Sequence, residues 1–170
     1  MSAERIADVR LERVAVEETF GLRQRVLRPS LTVGEVETPG DRDADTAHVI
    51  VRLLGGEVVG TGTVIRQESP WGEAGWRLRW MAVDVDHRRR GVGAHLLAAL
   101  IEYAGARGGG ILWCNARLLA VPFYERAGFV VRGQPWDDRE AGSTVAMRRE
   151  ASHSTGQARI VAREQLGFRS

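Results

Sequence analysis

The strongest periodic pattern along the chain predicts an amphipathic helix over residues 91–107. Apolar side chains recur there every three or four positions, which places them on one face, and a glycine follows at position 108, as is common at helix ends. Two β-branched runs, 48–54 and 57–66, are joined by two glycines and predict a hairpin. Residues 76–85 alternate large apolar side chains with arginine over part of their length, which predicts a long strand with two different faces.

Shorter patterns complete an alternation of strands and helices. They predict a first strand near Val9 and Leu11, a helix over 16–27, a loop over 28–46, a buried strand over 111–114, a helix over 118–127 with Pro122 at a kink or in its first turn, and strands over 129–132 and 144–148. Helix 91–107 would join two strands as a parallel crossover, so we expect an α/β or α+β fold in three layers. We expect residues 1–150 to form one domain and 151–170 a C-terminal tail or docking segment.

Composition excludes several classes of function. The chain has 170 residues, 24 basic and 22 acidic side chains and a formal net charge of +2, so charge gives no reason to expect a nucleic-acid partner. All basic residues are arginine, which excludes chemistry that depends on lysine. The single cysteine, Cys114, excludes an intramolecular disulfide and a multi-cysteine metal site within one chain. No stretch approaches the roughly 20 apolar residues of a membrane span. We expect a cytoplasmic protein with no membrane partner and no metal.

Three consecutive arginines, at positions 88–90, stand at the predicted start of helix 91–107. A helix N-terminus is already positive through its dipole and its free N–H groups, so cations are unfavourable there unless an anion binds. Gly91 and Gly93 have no Cβ that would keep a ligand from those N–H groups. A phosphate or pyrophosphate would satisfy all of these features. Taken alone, the run could also be an arginine-rich solvated turn.

Two segments downstream, WCNAR at 113–117 and FYERAGF at 123–129, extend this signal. Together with the arginine-glycine segment, and in this order and separation, they strongly resemble the GCN5-related N-acetyltransferases, over about residues 48–148. Members of that family transfer an acetyl group from acetyl-CoA to an amine. The resemblance implies a mixed, mostly antiparallel sheet of six to seven strands with helices on both faces. It also implies that the fourth and fifth strands splay apart.

The resemblance implies roles for individual residues. The pantetheine arm of acetyl-CoA is expected to pair with the backbone of the fourth strand, residues 88–94 to hold the pyrophosphate, and Tyr124 to protonate the departing thiolate. The cofactor-binding residues expected on this basis are Val83, Val85, Arg88, Arg90, Gly91, Val92, Gly93, Ala94 and Asn115. Transfer is expected to be direct, without an acyl-enzyme.

The general base and the acceptor stay open. His48 and Asp84 are candidates for the base, but residues of these types in such places are more often structural, and a chain of water molecules is the alternative. Cys114 has no histidine near it in sequence and is interpreted as a buried small side chain. The acidic run in loop 28–46 would attract a cationic amine, whereas Arg79 would favour an acceptor that carries a carboxylate.

The leading hypothesis is an N-acetyltransferase acting on the primary amine of a small molecule, such as an amino acid, a polyamine or another amine. A protein or peptide acetyltransferase and a non-catalytic acyl-CoA-binding regulatory module are the alternatives. A module that only binds acyl-CoA would not need Tyr124, so its presence beside a complete cofactor motif favours an enzyme. The resemblance also leaves a homodimer open.

Overall fold

A mixed β-sheet of seven strands lies at the centre of the computed structural model, which describes residues 9–152. The strands are β1 (Val9–Val14), β2 (Ala47–Leu53), β3 (Val58–Arg66), β4 (Gly75–Val83), β5 (Gly110–Arg117), β6 (Val130–Asp138) and β7 (Gly142–Ala151). They lie in the order β1-β2-β3-β4-β5-β7-β6, and only the β4-β5 pair is parallel. The expected mixed, mostly antiparallel sheet is confirmed.

Three α-helices flank the sheet within residues 9–152. They are α1 (Glu17–Leu22), which continues as a π-helical turn at Arg23–Leu27, α2 (Val92–Ala106) and α3 (Val121–Glu125). The helix predicted over 91–107 is confirmed, and Gly108 adopts the left-handed conformation, with a φ of 100°, that caps its end. None of the helices described between residues 9 and 152 has the length and apolar character that crossing a bilayer requires.

The alternation of side chains along β2 separates two buried layers. Ala47, Val49 and Val51 belong to the apolar cluster that also contains the buried face of α2. His48 and Ile50 lie on the opposite face, where His48 contacts Arg23 of the π-helical turn after α1. Helices therefore cover both faces of the sheet, as expected.

Two glycines of β3 let α2 approach the sheet closely. A Cβ on Gly60 would lie 2.7 Å from Val92 Cγ1 and 2.9 Å from Leu96 Cδ1, and a Cβ on Gly62 would lie 2.8 Å from Leu100 Cδ1. Carbon atoms do not pack at such distances without displacement. The N-terminal half of α2 is thus positioned by the absence of side chains on the strand beneath it.

The parallel strands β4 and β5 separate after a short paired region. Their pairing covers Gly75–Arg77 opposite Ile111–Trp113 only, although both strands continue further. On its other edge β4 carries a bulge opposite Thr61 and Thr63 of β3, where Trp80 adopts a φ of 55°. A bulge bends its strand and increases the local twist. The expected splay of the fourth and fifth strands is confirmed, and the opening begins immediately beyond Arg77.

Several element boundaries differ from the sequence predictions. The strand expected over 76–85 ends at Val83, and the helix expected over 118–127 is a 3-10 turn at Leu118–Ala120 followed by α3, with Pro122 in the first turn. The strands expected over 129–132 and 144–148 are longer, because β6 and β7 pair along most of their length around an irregular stretch between Arg132 and Trp136. The predicted loop 28–46 contains a 3-10 turn at Val33–Val36. The predicted tail lies almost wholly outside the described residues and stays a prediction.

Candidate active site

The segment between β4 and α2 has the geometry of an anion-binding turn. After a 3-10 turn at Val85–His87, Arg89 and Gly91 adopt left-handed backbone conformations, with φ of 62° and 80°. Gly91 is the N-cap of α2, so no N-cap side chain accepts hydrogen bonds from the first N–H groups of the helix. The first turn of α2 also contains no acidic residue. None of the hydrogen bonds within residues 9–152 uses the N–H groups of residues 92–94. Three amides at a positive helix terminus are thus available to a phosphate group.

The two glycines of this turn serve different purposes. Gly91 is needed because its positive φ is unfavourable for a residue with a side chain. A Cβ on Gly93 would instead lie 3.2 and 3.3 Å from ring carbons of Phe123 and 3.6 Å from Val83 Cγ2. The missing Cβ therefore lets α3 and the end of β4 pack closely against α2. The expected part of Gly93 in binding the cofactor stays a prediction.

Arg88 links the turn to the end of β4, since its Nε donates a hydrogen bond to the Val83 carbonyl oxygen at 3.1 Å. Val85 lies beyond the strand, in the 3-10 turn, and its side chain is exposed. The strand prediction for Val85 is wrong because Asp84 ends the strand, accepting a hydrogen bond from the Asp86 N–H at 3.1 Å. Pantetheine pairing at Val83 and Val85, and the charge expected from Arg88 and Arg90, stay predictions.

Tyr124 is buried in α3, packed edge-on between Phe123 and Phe129 with ring centroids 5.0 and 5.5 Å away. None of the hydrogen bonds within residues 9–152 involves its hydroxyl. Burial raises the pKa of Tyr124 well above its ordinary value, and the nearby Cys114 adds to the rise. The phenol is protonated at neutral pH, as a proton donor must be, while the raised pKa makes it a weaker acid than an exposed tyrosine. Its catalytic role stays a prediction.

Cys114 and Asn115 lie on opposite faces of β5. Cys114 belongs to the same apolar cluster as Tyr124, and burial raises the pKa of its thiol to about 12. A thiol that remains protonated is a poor nucleophile, which agrees with the interpretation of Cys114 as a buried small side chain. Asn115 is exposed and stands opposite Ala146 of β7. Its contact with acetyl-CoA stays a prediction.

His48 is part of a buried polar network and is unsuited to act as a base. Its Nε2 lies 2.7 Å from the Asp41 carbonyl oxygen, which only accepts, so Nε2 carries the proton. Its Nδ1 then accepts from the Thr63 hydroxyl at 2.8 Å and faces Arg23 Nη2 at 3.3 Å. Burial lowers the pKa of His48, partly opposed by the bond to Asp41, and the Arg23 charge lowers it further. The ring is neutral, and both nitrogens have partners inside the fold.

Asp84, the other candidate base, is engaged at the end of β4. Its carboxylate pairs with Arg25 at 2.8 Å and caps the 3-10 turn. Arg25 and the backbone hydrogen bond lower the pKa of Asp84 below its ordinary value, which weakens it as a base. Within residues 9–152 no group of three or more His, Cys, Asp or Glu side chains is arranged to hold a metal ion.

Arginines pair with three carboxylates of the acidic run before β2, which consists of Glu35, Glu37, Asp41, Asp43 and Asp45. The ion pairs are Glu37 with Arg42, Asp41 with Arg23 and Asp45 with Arg66. The first and third of these are exposed, whereas the Asp41 pair is buried. Asp41 is therefore unavailable to attract a cationic acceptor, and the charges of Glu37 and Asp45 are already paired.

Sequence reasoning missed Arg23 and the position of Trp80. Arg23 is fully buried, and its guanidinium lies 4.8 Å from the centroid of the Trp80 ring. Trp80 in turn donates from Nε1 to the Thr38 hydroxyl at 3.1 Å. The bulge places Trp80 on the same face as Arg23. An arginine among apolar positions of a predicted helix was the available signal, but it did not identify the partner.

The model of the acetyltransferase (GNAT) family matches residues 14–129 of the chain. The chain belongs to the GNAT family. It is an acyl-CoA-dependent N-acetyltransferase, and its family uses acetyl-CoA as co-substrate. The uncharacterized N-acetyltransferase YitI of Bacillus subtilis is 26% identical over 136 residues, which are 79% of this chain and 91% of YitI.

Solved structures share the fold of this GNAT protein. Escherichia coli ElaA superposes with a TM-score of 0.67 at 16% identity, covering 84% of this chain and 99% of ElaA. An acyl-CoA N-acyltransferase from Pseudomonas aeruginosa superposes with a TM-score of 0.63 at 18% identity, covering 84% of this chain and 98% of the other. At these identities the likeness concerns the fold alone.

Proposed function

We propose that this protein transfers the acetyl group of acetyl-CoA directly to the primary amine of a small molecule. The observation that carries the proposal is the opening between β4 and β5 beyond Arg77, which leads to the three free amides at residues 92–94. Val83, at the end of β4, lies beside Gly93 in that helix turn. Pyrophosphate at the turn would leave the pantetheine arm to follow β4 toward the acyl end.

The proposed reaction needs few groups from the protein. The amine nitrogen attacks the thioester carbonyl carbon, a C–N bond forms, and the carbonyl oxygen becomes an oxyanion. Backbone N–H groups of β4 that have no β5 partner beyond Arg77 are available to stabilise it. The C–S bond then breaks, and the thiolate takes the proton of the Tyr124 hydroxyl.

Proton balance in this scheme relies on solvent. The ammonium form of the acceptor loses one proton to water before attack, because His48 and Asp84 are held in structural contacts. The second proton leaves the nitrogen after the C–N bond has formed and restores the Tyr124 phenol through solvent. The products are an N-acetylated amine and coenzyme A with a free thiol.

A free-thiol assay with acetyl-CoA and panels of amino acids, polyamines, other amines and short peptides tests the proposal. We expect turnover of a small amine, with the acetylated product confirmed by mass. Turnover of peptides alone would favour the protein or peptide acetyltransferase. Binding of acetyl-CoA without turnover of any acceptor would favour the regulatory module.

A further inference from the structure

Two arginines on β4, Arg77 and Arg79, lie on the strand face opposite α2 and have no carboxylate partner within residues 9–152. Arg79 is half-buried and makes no hydrogen bond or ion pair in that part of the chain. Arg77 stacks 4.8 Å from the centroid of Trp113 and reaches only the neutral Gln67 side chain, at 3.4 Å. Its Nε is buried and has no hydrogen-bond partner.

The carboxylates near these arginines are already bound to other cations. Asp41 lies within electrostatic range of Arg79, but both of its oxygens accept from Arg23. Arg28, whose positive charge also acts on Arg79, pairs with Glu140 at 2.8 Å. Within residues 9–152, the neighbouring guanidinium groups of Arg77 and Arg79 therefore carry positive charge that no carboxylate neutralises.

Burial without a counterion is unfavourable for such groups. Burial lowers the pKa of Arg77 to about 10, and the neighbouring charge of Arg79 adds to this effect. Burial also lowers the pKa of Arg79. Both groups remain charged at neutral pH, so an anion that binds between them would recover part of the desolvation free energy.

The position of the pair relates it to the acyl end of the opening. Arg77 stands at the last paired position of β4 and β5, opposite Trp113, and Arg79 follows where the strands have separated. Because of the bulge, Arg79 and Val83 stand opposite Thr63 and Gly60 of β3, which are three residues apart, so at about 3.3 Å per residue they lie about 10 Å apart along the strand. Arg77 and Arg79 are therefore distant from the expected phosphate turn, residues 88–94, and close to the place where the thioester is expected.

We propose that Arg79, assisted by Arg77, binds a carboxylate of the acceptor, so that the substrate class is amines that carry a carboxylate. This inference rests on the proposed function of the same site. Arginine guanidinium groups match carboxylates through two parallel hydrogen bonds. Trp80, whose ring centroid lies 4.8 Å from the Arg23 and 5.7 Å from the Arg28 guanidinium carbon, would provide an aromatic wall beside the bound acid.

The test compares amino acids with the corresponding carboxamides, in which a neutral amide replaces the carboxylate. It uses the full-length protein saturated with coenzyme A. Glycine, β-alanine, 4-aminobutyrate and phenylalanine, each beside its carboxamide, are titrated by calorimetry, and the same pairs are compared in the free-thiol assay with acetyl-CoA. We expect at least one acid to bind, and to be turned over, about 10- to 100-fold better than its amide, which is the range for losing a charge-assisted hydrogen-bond pair. Arg79→Met should abolish this preference, and Arg79→Lys should retain part of it.

Arg13→Gln, an exposed arginine of β1, is the matched control and should keep the preference for the acid. The KM for acetyl-CoA should be unchanged in the Arg79 variants, because the phosphate turn is distant. Equal binding of acids and amides by the wild type, or a preference that survives Arg79→Met, would overturn the inference. Tight binding of an acid without any turnover would instead retain the carboxylate site and count against the proposed function.

Discussion

Arg23 and Asp41 form a two-pronged ion pair in the interior of the protein. Arg23 Nη1 lies 2.7 Å from Asp41 Oδ2, and Nη2 lies 3.1 Å from Oδ1. The same guanidinium donates to the Val36 carbonyl oxygen and to the Thr63 hydroxyl, both at 3.0 Å. The pair thus joins the helical turn after α1, the loop before β2 and strand β3 on the face of the sheet opposite α2.

Removing one member of this pair should be strongly destabilising. Asp41→Asn leaves a buried arginine without its counterion, and we expect the free energy of unfolding to fall by roughly 3–5 kcal/mol. Urea unfolding followed by tryptophan fluorescence would measure the change. Glu37→Gln, which breaks an exposed pair with Arg42, should leave the midpoint nearly unchanged. A small effect of Asp41→Asn would show that the ion pair between Arg23 and Asp41 does not stabilise the folded protein.

The pH dependence of stability should reflect His48. Its pKa is lower in the folded than in the unfolded protein, so the unfolded chain binds more protons once the pH falls through the ordinary histidine range near 6.5. The free energy of unfolding should therefore decrease from pH 7 to pH 5. Burial alone would raise the pKa of Asp41, but the bonds from Arg23 and the Thr38 amide lower it, so its contribution is lost only at more acidic pH.

Urea titrations at several pH values check this prediction. In His48→Gln the decrease between pH 7 and pH 5 should be clearly smaller than in the wild type, because the titrating group is gone. His95→Gln, which replaces an exposed histidine of α2, is the control and should retain the wild-type slope. If the free energy of unfolding decreased equally with pH in the wild type and in His48→Gln, the conclusion that the His48 ring is buried and neutral would be contradicted.

Acetyl-CoA should raise the melting temperature, and Gly91→Glu should abolish the rise. At a ligand concentration about 100 times Kd, binding to the native state contributes about 2.7 kcal/mol. A glutamate at residue 91 places a carboxylate where the pyrophosphate is expected. Gly91→Ala has the same unfavourable positive φ without the charge, so it should lower the melting temperature of the free protein yet keep a ligand-induced rise. Equal rises in Gly91→Glu and wild type would refute binding at this turn.

Tyr124→Phe should lower kcat by roughly 100-fold or more, the usual contribution of a positioned proton donor, with little change in KM for acetyl-CoA. The substitution removes the hydroxyl and keeps the ring packing against Phe123 and Phe129. Tyr103→Phe is the matched control: its hydroxyl bonds the Asp45 carbonyl oxygen at 3.0 Å, so its loss should affect stability and not kcat. Unchanged turnover in Tyr124→Phe would exclude this residue as the acid.

Local patterns explain why part of this protein could be predicted from sequence. Helix α2 and the β2-β3 hairpin were predicted because hydrophobic spacing, glycine-rich turns and a helix-ending glycine act over a few neighbouring residues. The turn at 88–94 could also be predicted, since its arginines and glycines lie close together in the sequence. Its two glycines nevertheless looked alike, and only the packing of Phe123 against Gly93 distinguished their purposes.

The sequence by itself determined the class of fold, the family resemblance and the location of the glycine-containing turn at 88–94, because these depend on short runs of residues. The tertiary structure decided the rest. It buried Asp41 against Arg23, 18 residues away, took His48 out of consideration as a base, and bent β4 at Trp80. Each of these depends on which distant side chains share a low-dielectric interior, since charge, protonation and strand curvature are set there by neighbours in space.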